Sequence, residues 1–378
     1  TMPGSVSTKG NQLIYLPDEA FDPSVDYLVT IKAGITISDG RELKEDYQFS
    51  FSVRDPLIIF RSSEDNNIYR TDRFGEGEII LTDNGENIFD YAPSPDGSEI
   101  VYSVYNDQTG LDLWIMNRDG EEQRILVDCG LDRCATPNWA PDGNMIAYSR
   151  SEAGLGPNEP HSPSRVWILN MESGETTRLS EDSNKIGYGP SWSPDGSKLA
   201  YSDGFNNEMI ILDLGTITEI SIPNQIGMVG SWAPGSNQMV YSDFLYSDDG
   251  AKYVVNHLHI ENEDILHLFG HRENEDAYYK PIWSPTGEWI AVLVQLDGPG
   301  IMNNLNLMSS NGTFGFVLAD DTDYSYSNYS FDPSGQFLIY QQFQLGTSNI
   351  NNQVVVVDID THEEILVIDH AKFPRWLP

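Results

Sequence analysis

Trp192-Ser-Pro-Asp-Gly196, followed two residues later by the β-rich run Leu199-Ala-Tyr-Ser202, decides the fold of this chain because the pattern recurs. Its copies are Trp139-Ala-Pro-Asp-Gly143, Pro93-Ser-Pro-Asp-Gly97, Trp232-Ala-Pro-Gly-Ser236, Trp283-Ser-Pro-Thr-Gly287 and Phe331-Asp-Pro-Ser-Gly335. The shared prolines 95, 141, 194, 234, 285 and 333 are spaced by 46, 53, 40, 51 and 48 residues. A period in the forties is that of blades or solenoid units. Five residues after each proline a strand-forming run begins, as at Ile100-Val-Tyr-Ser103, Ile146-Ala-Tyr-Ser149 and Leu338-Ile-Tyr-Gln341. Proline presets φ for a turn, Asp or Ser bonds the local backbone, and Gly takes the positive-φ place, so the flanking strands must fold back on each other.

A third strand follows each hairpin after a variable gap, as in Leu113-Trp-Ile-Met116 and Val354-Val-Val-Val357, and a fourth after a polar turn, as in Thr177-Arg-Leu179. Four short antiparallel strands with two apolar faces need a neighbour on each side, which is the logic of a propeller blade. Residues Pro56-Leu-Ile-Ile-Phe60, Asn67-Ile-Tyr69 and Glu78-Ile-Ile-Leu81 supply strands two to four of a blade that lacks its first. Pro374-Arg-Trp376-Leu-Pro378 reproduces the missing opening at the other end of the chain. Pairing the two ends seals the ring and removes an open sheet edge. The expected fold is therefore all-β: a seven-bladed propeller over 55–378 closed by a C-terminal strand, preceded by a separate β segment over 1–54.

The Trp-Ser-Pro-Asp-Gly repeat with its following Ile-Ala-Tyr-Ser strand resembles the TolB-type propeller, a family shared by Tol-associated periplasmic proteins, tricorn-type proteases and prolyl-oligopeptidase-like peptidases. The resemblance covers residues 56–378 and implies the propeller fold. Such propellers serve as docking modules, gates and sometimes enzymes, so the fold leaves function open.

Residues 1–54 carry no blade motif. Strands are expected around Asn11–Leu16, Tyr27–Lys32 and Tyr47–Val53, with a turn at Ser38-Asp-Gly40. Their order resembles the C-terminal half of a bacterial Ig-like domain of surface proteins. Half a sandwich of roughly 50 residues is near the lower limit for an independent core. Completion by a neighbouring subunit, by upstream sequence or by the propeller flank is expected, and completion by a subunit would chain molecules together.

Against 21 Lys and Arg, 58 Asp and Glu leave a formal charge of -37, which repels phosphate backbones and anionic lipid. Nucleic acid is excluded as a partner, and no apolar run approaches the roughly 20 residues of a membrane-spanning helix. Thr1-Met2-Pro3-Gly4 lacks a signal-peptide pattern. Cys129 and Cys134, the only cysteines, lie close enough in sequence to close a loop and are read as a disulfide, which places the chain in an oxidising compartment: extracellular, cell-surface or periplasmic.

No G-x-S-x-G elbow, H-E-x-x-H zinc pair or G-x-x-x-x-G-K phosphate loop occurs, so the chain is read as non-enzymatic. His257 and His259 alternate on a strand, with His267 and His271 nearby, and two side chains two apart share a face that a metal can use. Alignment on the repeat puts them in the places of Leu113 and Ile115, so packing between blades is the simpler reading and no bound transition metal is expected. Asp320-Asp-Thr-Asp323 and Asp358-Ile-Asp360 offer oxygen ligands for calcium, but neither follows a known calcium pattern, and a solvated turn is the simpler reading. The sequons at Asn311 and Asn328 matter only in a glycosylating host.

Loops joining strands two to three and blade to blade share one face, and the insertions at 151–164, 244–252, 295–304 and 341–352 fall there. Long loops on a rigid scaffold are the usual place for recognition. Before several first strands stand Phe89, Tyr91, Tyr188, Tyr278, Tyr279, Tyr324, Tyr326 and Tyr329, which are expected to ring the channel mouth and either grip a ligand or cap the ends of the core between blades. The expected function is binding or structural, engaging protein, with glycan second and self-association through the N-terminal segment. The rival reading is an enzyme: a metal-dependent polysaccharide lyase, or the gating propeller of a larger peptidase.

Overall fold

The computed structural model describes residues 2–9, 12–18, 21–22, 25–36, 40–83, 87–154, 156, 159–182, 184–247, 250–271, 276–295, 303–346 and 351–378. The chain is all-β and divides into two compact units, Thr1–Asp55 and Pro56–Pro378.

Among the described residues the second unit contains seven groups of four antiparallel strands. Blade 1 is composite: Leu57–Ser62, Ile68–Thr71 and Ile79–Ile80 are joined by the C-terminal strand Ala371–Leu377, which pairs with the first of them. Blades 2 to 7 follow in sequence order, opening on Ile88–Pro93, Arg133–Trp139, Tyr188–Trp192, Ser231–Trp232, Ala277–Trp283 and Tyr324–Phe331. Blades 2 and 3 merge into one eight-stranded sheet through a parallel bridge between Leu111 and Arg133. That bridge sits beside the Cys129–Cys134 disulfide, whose Cα atoms are 6.3 Å apart, so the covalent loop turns the chain sharply from one blade into the next.

Each repeat turn closes as its sequence requires. Gly97, Gly143, Gly196, Gly287 and Gly335 lie at φ between 64 and 79°, and each donates its N–H to the carbonyl three residues back. Where the repeat has Ser236 instead, that residue takes φ 61°, a conformation that disfavours any side chain.

The core lies between blades. Val101, Leu113 and Ile115 of blade 2 pack on Trp139, Ile146, Tyr148 and Leu169 of blade 3, and Met209 and Ile211 of blade 4 pack on Trp232, Met239 and Leu258 of blade 5. The motif tryptophans also tie neighbours together. The indole N–H groups of Trp139, Trp192, Trp232 and Trp376 donate to the carbonyls of Ala92, Asn138, Ser191 and Ser330, at 3.1–3.3 Å. In every case the acceptor is the residue just before the equivalent position of the preceding blade. Trp283 departs from the series, since its indole bonds the Gly287 carbonyl of its own turn.

In the first unit, Gly4–Lys9 pairs with Gln12–Pro17, and Asp26–Ile31 with Tyr47–Ser52, as two separate two-stranded sheets. The strand Gly4–Lys9 was not expected from the sequence, and the turn expected at Ser38-Asp-Gly40 lies outside the described residues except for Gly40. Phe21, Tyr27 and Phe51 form a local aromatic cluster with ring centroids 4.7–5.5 Å apart.

The insertion at 244–252 corrects the sequence reading. It is a hairpin arm rather than a loop, because Gln238–Ser247 and Gly250–His259 remain in register along their full ten residues. Alternating Phe244, Tyr246 and Tyr253 supply the aromatic contacts that hold such an arm together, with ring centroids 4.7–6.2 Å apart. Parts of the other three insertions, at 155, 157–158, 296–302 and 347–350, lie outside the described residues.

Candidate functional site: the propeller channel

Inner strands line the channel, and most carry the same irregularity. The register slips between Ala135 and Asn138, Tyr188 and Ser191, Tyr279 and Ile282, Ser327 and Ser330, and Lys372 and Arg375. Each slip is a bulge whose first extra residue has positive φ: Thr136 at 51°, Gly189 at 60°, Lys280 at 52°, Asn328 at 44° and Phe373 at 54°. All five stand three residues before the motif aromatic, and Asp90 and Val229 hold that place in blades 2 and 5. At three of the five, a side chain from the blade before satisfies the freed backbone. Ser149 Oγ accepts the N–H of Gly189 at 3.1 Å, Ser242 Oγ that of Lys280 at 2.7 Å, and Gln341 Oε1 that of Phe373 at 2.9 Å. The serine of the Tyr-Ser run therefore has a specific task in two blades.

Two adjoining cavities open on this ring. The central one, about 360 Å³, is lined by Asp90, Val229, Lys280, Asn328, Phe373 and Arg375 among others. Its neighbour, about 270 Å³, has an apolar and aromatic wall of Ile226, Met228, Tyr253, Tyr279, Leu293 and Phe343. Met228, Ser242 and Lys280 belong to both. The second cavity is built from the ends of second strands and the starts of first and third strands, so it lies on the face of the long connections. Asn303 Nδ2 fixes the Tyr279 hydroxyl at 2.6 Å, and the Tyr279 ring sits 5.0 Å from that of Tyr253.

The eight aromatics expected at the mouth divide. Phe89 is 47% and Tyr188 39% exposed, while Tyr278, Tyr279 and Tyr324 are half-buried. Tyr91, Tyr326 and Tyr329 are buried, at 2%, 2% and 4%, with Tyr329 at the edge of the central cavity and Tyr326 at that of its neighbour. The reason is strand geometry. Tyr91 and Tyr329 directly follow the ring position, where blades 1, 3, 4 and 6 have proline, and turn inward so that their hydroxyls donate to the carbonyls of Phe373 and Lys280. Tyr326 packs edge-on against Tyr340, its hydroxyl oxygen accepting the Asp321 N–H at 2.8 Å, and burial pushes its pKa up to about 12. The ring residues Lys280, Asn328 and Phe373, and Arg375 beside them, were not singled out from the sequence. Their constant offset from the motif aromatic was the available signal.

The histidines also need correction. Val240 pairs with His257 as Val101 pairs with Ile115, so His257 stands in the place of Ile115 and His259 in that of Asn117. The hairpin arm lengthens the gap before the strand, which shifted the alignment by two residues. His257 packs edge-on against Trp283 of the next blade, with centroids 5.2 Å apart, and lies 4.6 Å from His259. His259 Nδ1 meets Gln238 Nε2 at 3.1 Å, and His267 Nδ1 meets Asn256 Oδ1 at 3.2 Å. Among the described residues no three of His, Cys, Asp and Glu are grouped so as to hold a metal ion. The Asp321 and Asp358 carboxylates accept backbone N–H groups of their own turns at 2.9 Å.

Burial first, and then the neighbouring His259, hold the His257 pKa below its ordinary 6.5. The folded chain thus keeps this ring neutral where the unfolded chain protonates it. The stability it contributes is complete above about pH 6.5 and is lost as pH falls below that value. Urea unfolding at about pH 7 and about pH 5 is expected to show His257→Leu losing less stability over that interval than the parent chain; equal losses would refute the assignment.

Residues 111–378 match the family model of the TolB beta propeller domain. This chain belongs to that family. A Tol-Pal system protein TolB from Francisella tularensis is 31% identical over 110 residues, 28% of this chain and 23% of that protein. A dipeptidyl-peptidase 5 from Porphyromonas gingivalis is 35% identical over 89 residues, 21% of this chain and 13% of the enzyme. The matched region thus spans about a quarter or less of the length of these two relatives. Among solved structures, a puromycin-hydrolyzing peptidase of Mycobacterium tuberculosis superimposes with a TM-score of 0.58 at 15% identity, over 85% of this chain and 51% of that one. At that identity the likeness concerns the TolB-type fold alone.

Proposed function

We propose that this chain is an exported, non-enzymatic docking module that grips a protein partner in the aromatic-walled cavity on the long-connection face of its propeller. The observation that carries this reading is the cavity of Tyr253, Tyr279, Phe343, Leu293, Ile226 and Met228. Its apolar area with fixed hydroxyl groups suits side chains of a peptide segment. The disulfide supports an oxidising location, extracellular, at the cell surface or periplasmic. Family membership supports a scaffold on which loops do the recognition. A glycan is the weaker ligand, because a sugar needs more convergent polar groups than this wall offers. The N-terminal unit, with its two separate strand pairs, is suited to completion by a strand from a second copy.

A random peptide library displayed on phage and panned against the whole chain tests the docking site. Peptides are expected to be enriched that bind the parent chain and bind Tyr253→Ala and Tyr279→Ala at least tenfold more weakly. No enrichment, or equal binding to parent and variants, overturns the reading.

A further inference from the structure

We infer that the central cavity is a binding site for a small carboxylate, with Lys280 as its counter-charge and the exposed face of Phe373 as its apolar wall. Lys280 also borders the neighbouring cavity, and the site does not require protein docking there.

Three observations converge. The first is backbone strain. The left-handed region suits Gly and Asn, and the ring places Gly189 and Asn328 there, but Thr136, Lys280 and Phe373 occupy it at 51°, 52° and 54°, and of these three Lys280 and Phe373 line the cavity. A residue kept where its backbone is disfavoured points to a task for its side chain. The second is how firmly those backbones are held. The Lys280 N–H donates to Ser242 Oγ and its carbonyl accepts the Tyr329 hydroxyl; the Phe373 N–H donates to Gln341 Oε1 and its carbonyl accepts the Tyr91 hydroxyl. The two positions are clamped in the same way, and their side chains remain on the cavity wall, Phe373 being 43% exposed.

The third is charge. In a chain with 58 acidic and 21 basic residues, the cavity wall carries two cations, Lys280 and Arg375, and one carboxylate, Asp90. Asp90 Oδ1 lies 3.6 Å from Arg375 Nη2, long for a charge-assisted hydrogen bond. Among the described residues no carboxylate pairs with the Lys280 ammonium. The wall thus offers a positive site inside a strongly negative molecule, next to an aromatic face and the amide of Asn328. A volume of about 360 Å³ fits a ligand the size of a disaccharide or dipeptide. The recognised chemistry is a carboxylate attached to a face of C–H groups, which a uronic acid sugar and the C-terminal end of a peptide share.

Calorimetric titration of the whole chain at low salt tests the site with three probes: digalacturonate, N-acetyl-leucyl-phenylalanine as the free acid, and its amide. One of the two acids is expected to bind, identifying the source, and the amide to bind at least tenfold more weakly than its acid or not at all. Lys280→Gly is expected to weaken the bound acid at least tenfold while leaving the thermal midpoint unchanged or raised, since glycine relieves the strain. Phe373→Gly is expected to weaken it as well. Failure of both acids, binding of the amide equal to that of its acid, or undiminished binding by Lys280→Gly overturns the proposal.

Discussion

Removing residues 371–378 is expected to abolish cooperative folding of the propeller. The strand Ala371–Leu377 is the first strand of blade 1 and pairs with Leu57–Ser62. It buries Ala371 and Leu377 completely and Trp376 to 6% exposure. Its other edge holds blades 7 and 2: the Trp376 indole donates to Ser330, the Phe373 carbonyl accepts the Tyr91 hydroxyl, and Arg375 faces Asp90. Losing a buried Trp costs about 3–5 kcal/mol and a buried Leu about 2–5 kcal/mol, before the opened strand edge is counted. Together these approach the whole stability of an ordinary domain, about 5–15 kcal/mol. Circular dichroism during thermal melting checks this. A truncated chain that melts in one sharp transition within a few degrees of the parent would refute ring closure as the source of stability.

Trp192→Ala is expected to destabilise the chain by about 3–5 kcal/mol, and Trp192→Phe by about 1 kcal/mol. The side chain is 8% exposed and packs among Ala140, Ala147 and Val166 of blade 3 and Leu199 and Tyr201 of its own blade. Alanine leaves a void in that interface which rigid sheets cannot close. Phenylalanine fills most of the volume and loses chiefly the indole bond to the Asn138 carbonyl at 3.2 Å, so the two variants separate packing from the bond between blades. Urea unfolding measures both. Equal losses for Ala and Phe would place the whole effect in the hydrogen bond, contrary to this expectation.

The blades were legible because their information is local. Pro, Asp and Gly at fixed offsets define a turn by backbone sterics, and the apolar runs beside them define which strands pair. The same reasoning found the C-terminal strand as the missing piece of blade 1, since a sheet edge must be covered somewhere. It misplaced His257 by two residues because the hairpin arm after Tyr241 changes the strand length without leaving a turn signal. Burial of Tyr91, Tyr326 and Tyr329 was not legible, because a Tyr before a strand looks alike whether its ring turns to solvent or to the next blade.

What the sequence by itself determined is therefore the repeat, the strand order, the closure and the acidic character, all of which follow from residue type and spacing along the chain. Only the tertiary structure decided which side chains meet in the channel. The ring of Asp90, Thr136, Gly189, Val229, Lys280, Asn328 and Phe373 gathers one residue from each blade, positions up to 283 residues apart. Neither its cavity nor its bulges can be read from any one repeat, because the bulges at Gly189, Lys280 and Phe373 are each held by a side chain from the preceding blade, which reaches them only once the blades stand side by side.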